Sequence, residues 1–177
     1  NWDLAANSGG LESLTLKPSE TNLFGIHHVL SGTFLYAPES YTLGAAYTVP
    51  RFGKSYVNAS VAAGIIMNSA RGEAEGSTGS LTVGQNLYTT RTPWAWSVGT
   101  DWTSNVYRRY SNAKVFQFDS KKTTTEDHIP FQYEQRLATV AAGVTRSFGW
   151  QYKHDVTLSY GYAANVFRTF DLSGYNP

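Results

Sequence analysis

Between Tyr41 and Asn68 the chain reads YTLGAAYTV, then PRFGKS, then YVNASVAAGIIMN. In the first segment Tyr41, Leu43, Ala45, Tyr47 and Val49 share one parity, and Thr42, Gly44, Ala46 and Thr48 share the other. In the last segment Val57, Ala59, Val61, Ala63, Ile65 and Met67 form an apolar row. Tyr56, Asn58, Ser60, Ala62 and Gly64 form a small, polar row that only Ile66 breaks. Successive strand residues point to opposite faces, so a period of two marks strands. Pro50 stops the first strand, and Arg51-Phe52-Gly53-Lys54 reads as a turn. The second face is hydroxylic and small, whereas a half-buried soluble sheet turns a charged face to water.

The same alternation continues in both directions. Upstream, Leu30, Gly32, Phe34 and Tyr36 oppose His27, Ser31 and Thr33. Downstream, Trp94, Trp96, Val98 and Trp102 oppose Ala95, Ser97, Gly99 and Asp101. Near the end, Val156, Leu158, Tyr160, Tyr162, Ala164 and Val166 oppose Asp155, Thr157, Ser159, Gly161 and Asn165. This pattern predicts about nine strands. They are expected at residues 2–7, 12–17, 26–36, 41–49, 56–68, 77–88, 94–107, 132–147 and 154–170, with 113–119 continuing the meander. Residues 19–25 read as a loop, 121–130 as the longest polar loop and 171–177 as an irregular tail. No segment has a helical period with caps. The expected fold class is all-β, an antiparallel meander forming one domain over residues 1–177.

The apolar rows carry almost no charge until their ends, where Tyr36, Tyr41, Trp94, Trp102 and Phe170 sit. A transmembrane β-barrel needs this layout: a lipid-facing apolar band flanked by aromatic girdles, with a polar interior. Short turns at 37–40, 50–55, 89–93 and 148–153 alternate with longer loops at 69–75, 108–112 and 120–130, another feature of such barrels. Val57, Val61, Ile65, Val156, Leu158 and Tyr160 are therefore expected to face lipid. The alternative is a soluble sandwich or lipocalin-like barrel with a Tyr-rich surface.

Composition narrows the chemistry. Charged residues make up 15% of the 177, below the ~25% of ordinary globular domains. The net charge of +1 gives no basic patch for nucleic acid. The absence of cysteine removes disulfides and thiolate metal sites. No run approaches the ~18 apolar residues of a membrane helix. The first residues lack a charged segment followed by an apolar one, so the chain is expected to be a mature form or a piece of a longer protein. No catalytic constellation emerges, and neither an enzyme nor a cofactor is expected. His27 and His28, as neighbours in a strand, would point to opposite faces and bind no metal together. Asp127-His128 has no serine elbow to serve. Asn58-Ala59-Ser60 is a glycosylation sequon in an unsuitable mid-strand position. Asp101, Asp119, Asp155 and Glu134 are expected to pair with Arg108, Arg136 or Lys153.

Over residues 3–105 the order of motifs resembles the start of the barrel in the BamA/TamA superfamily of outer-membrane assembly factors. A short first strand leads to a Gly9-Gly10 turn. Glu20-Thr21-Asn22-Leu23-Phe24-Gly25 is similar to the family's acidic/Asn-Leu-x-Gly turn. Tyr47-Thr48-Val49-Pro50-Arg51-Phe52 resembles its strand ending in Thr-x-Pro-x-Phe. Gly79-Ser80-Leu81-Thr82-Val83-Gly84 fits a strand that precedes a polar turn and a Trp-containing strand. Residues from 106 on fit as generic barrel strands. The chain departs from the family in carrying no transport-associated domains, no Val-Arg-Gly-Phe-type loop motif and about half the strands. The resemblance thus implies the N-terminal half of a barrel of about 16 strands; a self-closing barrel of about eight to ten strands is the alternative.

What the resemblance implies about function is an edge. In the family the first strand pairs weakly with the last and opens as a lateral gate, which accepts client strands by β-augmentation. That places a gate on Trp2, Asp3, Leu4, Ala5, Ala6 and Asn7, and a structural turn on Asn22, Leu23, Phe24 and Gly25. Gly25 is expected to take a conformation closed to residues with a Cβ, and the Asn22 side chain to bond nearby backbone. The implied location is the bacterial outer membrane. The implied partners are its lipid, client β-barrel strands, accessory assembly subunits and the remaining half of the barrel. A passive pore or secretion barrel, and the membrane anchor of a patatin-like lipase, are the competing functions.

Overall fold

The computed structural model describes residues 2–7, 10–112, 114–119, 128–149 and 152–170. Gly9, Asp127, most of the expected polar loop and the tail 171–177 lie outside the described residues. The strands are β1 (Trp2–Asn7), β2 (Gly10–Leu16), β3 (Ser19–Leu23), β4 (His28–Tyr36), β5 (Ser40–Val49), β6 (Val57–Asn68), β7 (Ala74–Gln85), β8 (Trp94–Arg108), β9 (Tyr110–Ser111), β10 (Lys114–Val115), β11 (Gln117–Phe118), β12 (Ile129–Pro130), β13 (Gln132–Phe148) and β14 (His154–Thr169). No helix occurs among the described residues.

Ten strands form one sheet in the order β1-β2-β4-β5-β6-β7-β8-β13-β14, with β3 also on β4. Every pairing is antiparallel. The architecture is thus the all-β meander that the alternation implies. The sheet does not close on itself: among the described residues no ladder joins β1 to β14.

Three expectations need correction. Ser19–Leu23, read as loop, is a strand. Leu16 faces Phe34 and Ser19 faces Ser31, so β2 and β3 follow one register across β4 as a single strand interrupted at Lys17-Pro18. Proline has no N–H to give, so the ladder breaks there, although the Pro18 carbonyl still accepts from Gly32 N–H at 3.0 Å. Ile26 and His27 belong to a turn, with His27 at φ 59°, and β4 starts at His28. Of residues 113–119, expected to continue the meander, the described 114–119 do not extend it. Within them β10 pairs with β9 and β11 with β12, as two small ladders in the connection between β8 and β13.

The strand order also regroups the turns. Connections 50–56, 86–93 and 149–153 share one rim with the turn 24–27. The turn at 37–39 lies on the opposite rim with 69–73 and 109–131, so short and long connections do not segregate.

The sheet has almost no core of its own. Val49 is the one buried hydrophobic residue among those described, at 7% exposure. A sheet normally hides its apolar face against a second layer. Here the described chain supplies none, and that face is left outward.

Candidate functional site

The expected gate residues Trp2, Asp3, Leu4, Ala5, Ala6 and Asn7 form β1, at one end of the sheet. Their only ladder runs to β2, from Trp2 opposite Leu16 to Asn7 opposite Gly10, with a register shift between Ala5 and Ala6. The other side of β1 has no strand beside it among the described residues. Ser19–Leu23 lies beyond the reach of β1, so β3 likewise pairs only with β4. At the far end β14 pairs only with β13. Unpaired N–H and C=O groups along such edges are templates for another strand.

Residues directly opposite in an antiparallel ladder point the same way. One side therefore carries Leu30, Tyr47, Val61, Leu81, Thr100, Val140 and Tyr162 in a continuous row across the sheet. Ile65 is 53% exposed on this face, Leu158 73% and Tyr160 75%; Val61 and Val156 are exposed too, and Val57 is half-buried. The opposite face is stitched by cross-strand hydroxyls. Thr48 and Ser60 Oγ atoms meet at 3.0 Å, Thr78 and Thr103 at 3.3 Å, and Thr145 and Thr157 at 2.9 Å. Thr139 donates to Asp101 at 3.1 Å. Leu35, Leu137 and Phe167 interrupt that face.

Small residues on the apolar side let large ones lie flat. Gly79 is opposite Trp102, and a Cβ at Gly79 would stand 2.2 Å from the indole. The glycine is thus required by close approach.

The turn motif closes β3 onto β4. Gly25 sits at φ 73° and Phe24 at φ 57°. Gly25 N–H donates to the Asn22 carbonyl at 3.0 Å and Ile26 N–H to the Leu23 carbonyl at 3.3 Å. Asn22 Oδ1 accepts from His27 N–H at 3.0 Å, and Asn22 N–H donates to Glu20 Oε1 at 2.9 Å. Both expected roles, the left-handed glycine and the backbone-bonding asparagine, are present in this geometry. The segment after β5 is a second such turn: Gly53 is at φ 55°, and Arg51 donates from Nε to the Ser55 carbonyl at 2.8 Å.

Charge at the rims follows a pattern that spacing did not reveal. Arg108 reaches Glu75 in two hydrogen bonds of 2.7 and 2.5 Å, with side chains only 9% and 10% exposed. Arg71 and Asn68 also donate to Glu75. A register shift between Ile66 and Met67 leaves Glu75 as the extra residue of a bulge, which aims its carboxylate into this cluster. Arg108 therefore pairs with Glu75 and not with the aspartates expected for it. Glu134 does meet Arg136, at 2.6 Å. Lys153 donates to Ser147 Oγ at 3.4 Å. In the turn beside Arg108, burial pushes the Glu39 carboxyl up, and the Arg108 charge partly offsets this.

Among the described residues no three His, Asp or Glu side chains come together as a metal site. His28 Nδ1 instead bonds the Tyr47 hydroxyl, with the rings edge to face. The arrangement offers two surfaces and two edges. No protein-family model matches the chain, and no curated protein matches it.

Proposed function

We propose that this sheet belongs to the barrel of a bacterial outer-membrane assembly factor, with β1 as the strand to which client strands add. The observation that carries the membrane part is the apolar band on β13. Arg136 and Arg146 lie on the same face, separated by Ala138, Val140, Ala142 and Val144. At ~3.3 Å per residue and a tilt of ~40°, ten residues rise ~25 Å, the height of the apolar band in outer-membrane barrels. A face this broad, apolar and uncovered has lipid as its natural neighbour. Closure then needs further strands between β14 and β1, in keeping with a barrel of about 16.

Lipid, client strands, the remaining strands and accessory subunits are the partners in this reading. The order of motifs from Asp3 to Asn105 supports the assembly role, and the free side of β1 gives it a site. β-Augmentation needs a free edge and weak competition for it. The short β1–β2 ladder, with its register shift, meets both conditions.

The chain has no native cysteine, so Ala5→Cys introduces a unique thiol. We expect it to crosslink to a strand of a client barrel during assembly. Crosslinking solely to a second cysteine at Ala163 in β14 would mean a closed barrel and an occupied edge. The hydroxyl-lined second face supports a passive pore as the second reading. A steady conductance in planar bilayers, unaffected by client strands, would favour it.

A further inference from the structure

The two arginines that bound the apolar face of β13 have unlike surroundings. Arg136 Nε stands 2.6 Å from Glu134 Oε1. Arg146 has no carboxylate within ion-pair distance among the described residues. Its guanidinium lies 4.6 Å from the centre of the Trp94 ring and 5.4 Å from that of Phe148. Register explains the stacking: Arg146 is directly opposite Trp94 on one side and Val156 on the other, so all three share the apolar face.

One other arginine on that rim repeats the motif. Arg51 lies 4.1 Å over the Tyr56 ring, which stacks on Tyr88, and its hydrogen bonds go to the Ser55 and Lys54 carbonyls. Lys54, Arg91 and Lys153 stand in the same set of turns and ends, against Glu20 and Asp155 as the nearby acids. On the opposite rim Arg71 and Arg108 meet Glu75.

We propose that the rim carrying Arg146 and Arg51 binds the phosphates of anionic phospholipid headgroups, with Arg146 on Trp94 as the main contact and Arg51 on Tyr56 as the second. This rests on the membrane-barrel reading above. A guanidinium at the border of a lipid-facing band needs an anion at its own depth, because an unpaired charge beside hydrocarbon is costly. The aromatic ring holds the planar cation at the interface. Arginine then offers paired donors to phosphate oxygens. The occupant is a headgroup and not a soluble phosphate, because Arg146 shares its row with Trp94 and Val156 on the face that lipid covers.

The test compares insertion of the complete barrel, these strands together with those that close it, into phosphatidylcholine vesicles with and without about 30% phosphatidylglycerol, read by protease protection. We expect tighter association with the anionic vesicles at low salt. That gain should fall roughly fivefold for each of Arg146→Gln and Arg51→Gln. Arg146→Lys should keep much of it, and Arg71→Gln on the other rim all of it. Millimolar inorganic phosphate at constant ionic strength should leave the gain in place. An equal gain in wild type and the double glutamine variant, with both inserting into neutral vesicles, would overturn the headgroup site alone. So would loss of the gain on adding phosphate. If Arg146→Gln fails to enter neutral vesicles, Arg51→Gln carries the same comparison. Failure of the wild-type barrel, with the strands that close it present, to enter either vesicle would overturn the membrane reading, and this site with it.

Discussion

Among the described residues the first hairpin of the sheet and the last both leave one strand edge without a neighbour, yet they are built differently. β13 and β14 match in an unbroken register from Tyr133 opposite Thr169 to Phe148 opposite His154. β1 and β2 match only from Trp2 to Asn7, with a shift in the middle. β13 is also fixed on its other side by β8, from Gln132 to Arg146. Each further ladder pair adds backbone hydrogen bonds and cross-strand contacts worth ~0.2–1 kcal/mol. The last hairpin is therefore held more firmly than the first, and on the proposed reading the first is the one at which a client strand competes. An edge used for exchange needs to be weak, and an edge used for permanent closure needs to be strong.

The sharpest way to break this contrast is to remove a tie on the firm side. Arg108→Ala would take from the nearly buried Glu75 carboxylate its closest cation, where β7, β8 and the rim loop meet, and leave it Arg71 and Asn68 as donors. We expect a loss of about 3 kcal/mol in denaturant unfolding, the low end for a broken buried pair because Arg71 remains. A loss no larger than that of an exposed ion pair would mean that Glu75 finds water or another partner. Next, Ala141→Pro deletes an N–H in a strand paired on both sides, and should cost ~3 kcal/mol. Ala5→Pro in β1 should cost under ~1 kcal/mol. Comparable costs at the two sites would erase the distinction between the hairpins.

The two faces are shared by both hairpins and can be tested apart from the edges. Val61→Arg should cost ~2–4 kcal/mol on folding into lipid vesicles, and Ser60→Arg far less if the barrel interior is wide. Equal costs at these neighbours would remove the assignment of faces. The smallest effect is expected at Glu39. Its raised pKa means that the ionised form is disfavoured in the folded state. The penalty applies at neutral pH and is relieved as pH falls through the folded-state pKa. Glu39→Gln should therefore leave stability within ~0.5 kcal/mol of wild type, on the stabilising side at neutral pH, and flatten this part of the pH profile.

Alternation in the sequence determined the strands whose two faces differ in chemistry. β5, β6, β8, β13 and β14 fall close to where the period of two places them, because side-chain direction is a local property of an extended backbone. Gly25 and Asn22 were legible for the same reason: a tight turn needs a left-handed residue and a short side chain that can bond backbone. Arg146 falls on the apolar parity of its strand, so the sequence signals an arginine at the band's edge, but not its stacking on Trp94. Tertiary structure alone decided what depends on two strands at once. Ser19–Leu23 is polar and without pattern, and becomes a strand because β4 offers it a ladder in the register of β2. The Glu75–Arg108 pair exists because a bulge between β6 and β7 redirects one carboxylate. The small ladders between β8 and β13 leave β8 free to pair directly with β13. Whether the sheet closes depends on strand number, tilt and stagger together, quantities that no single segment contains.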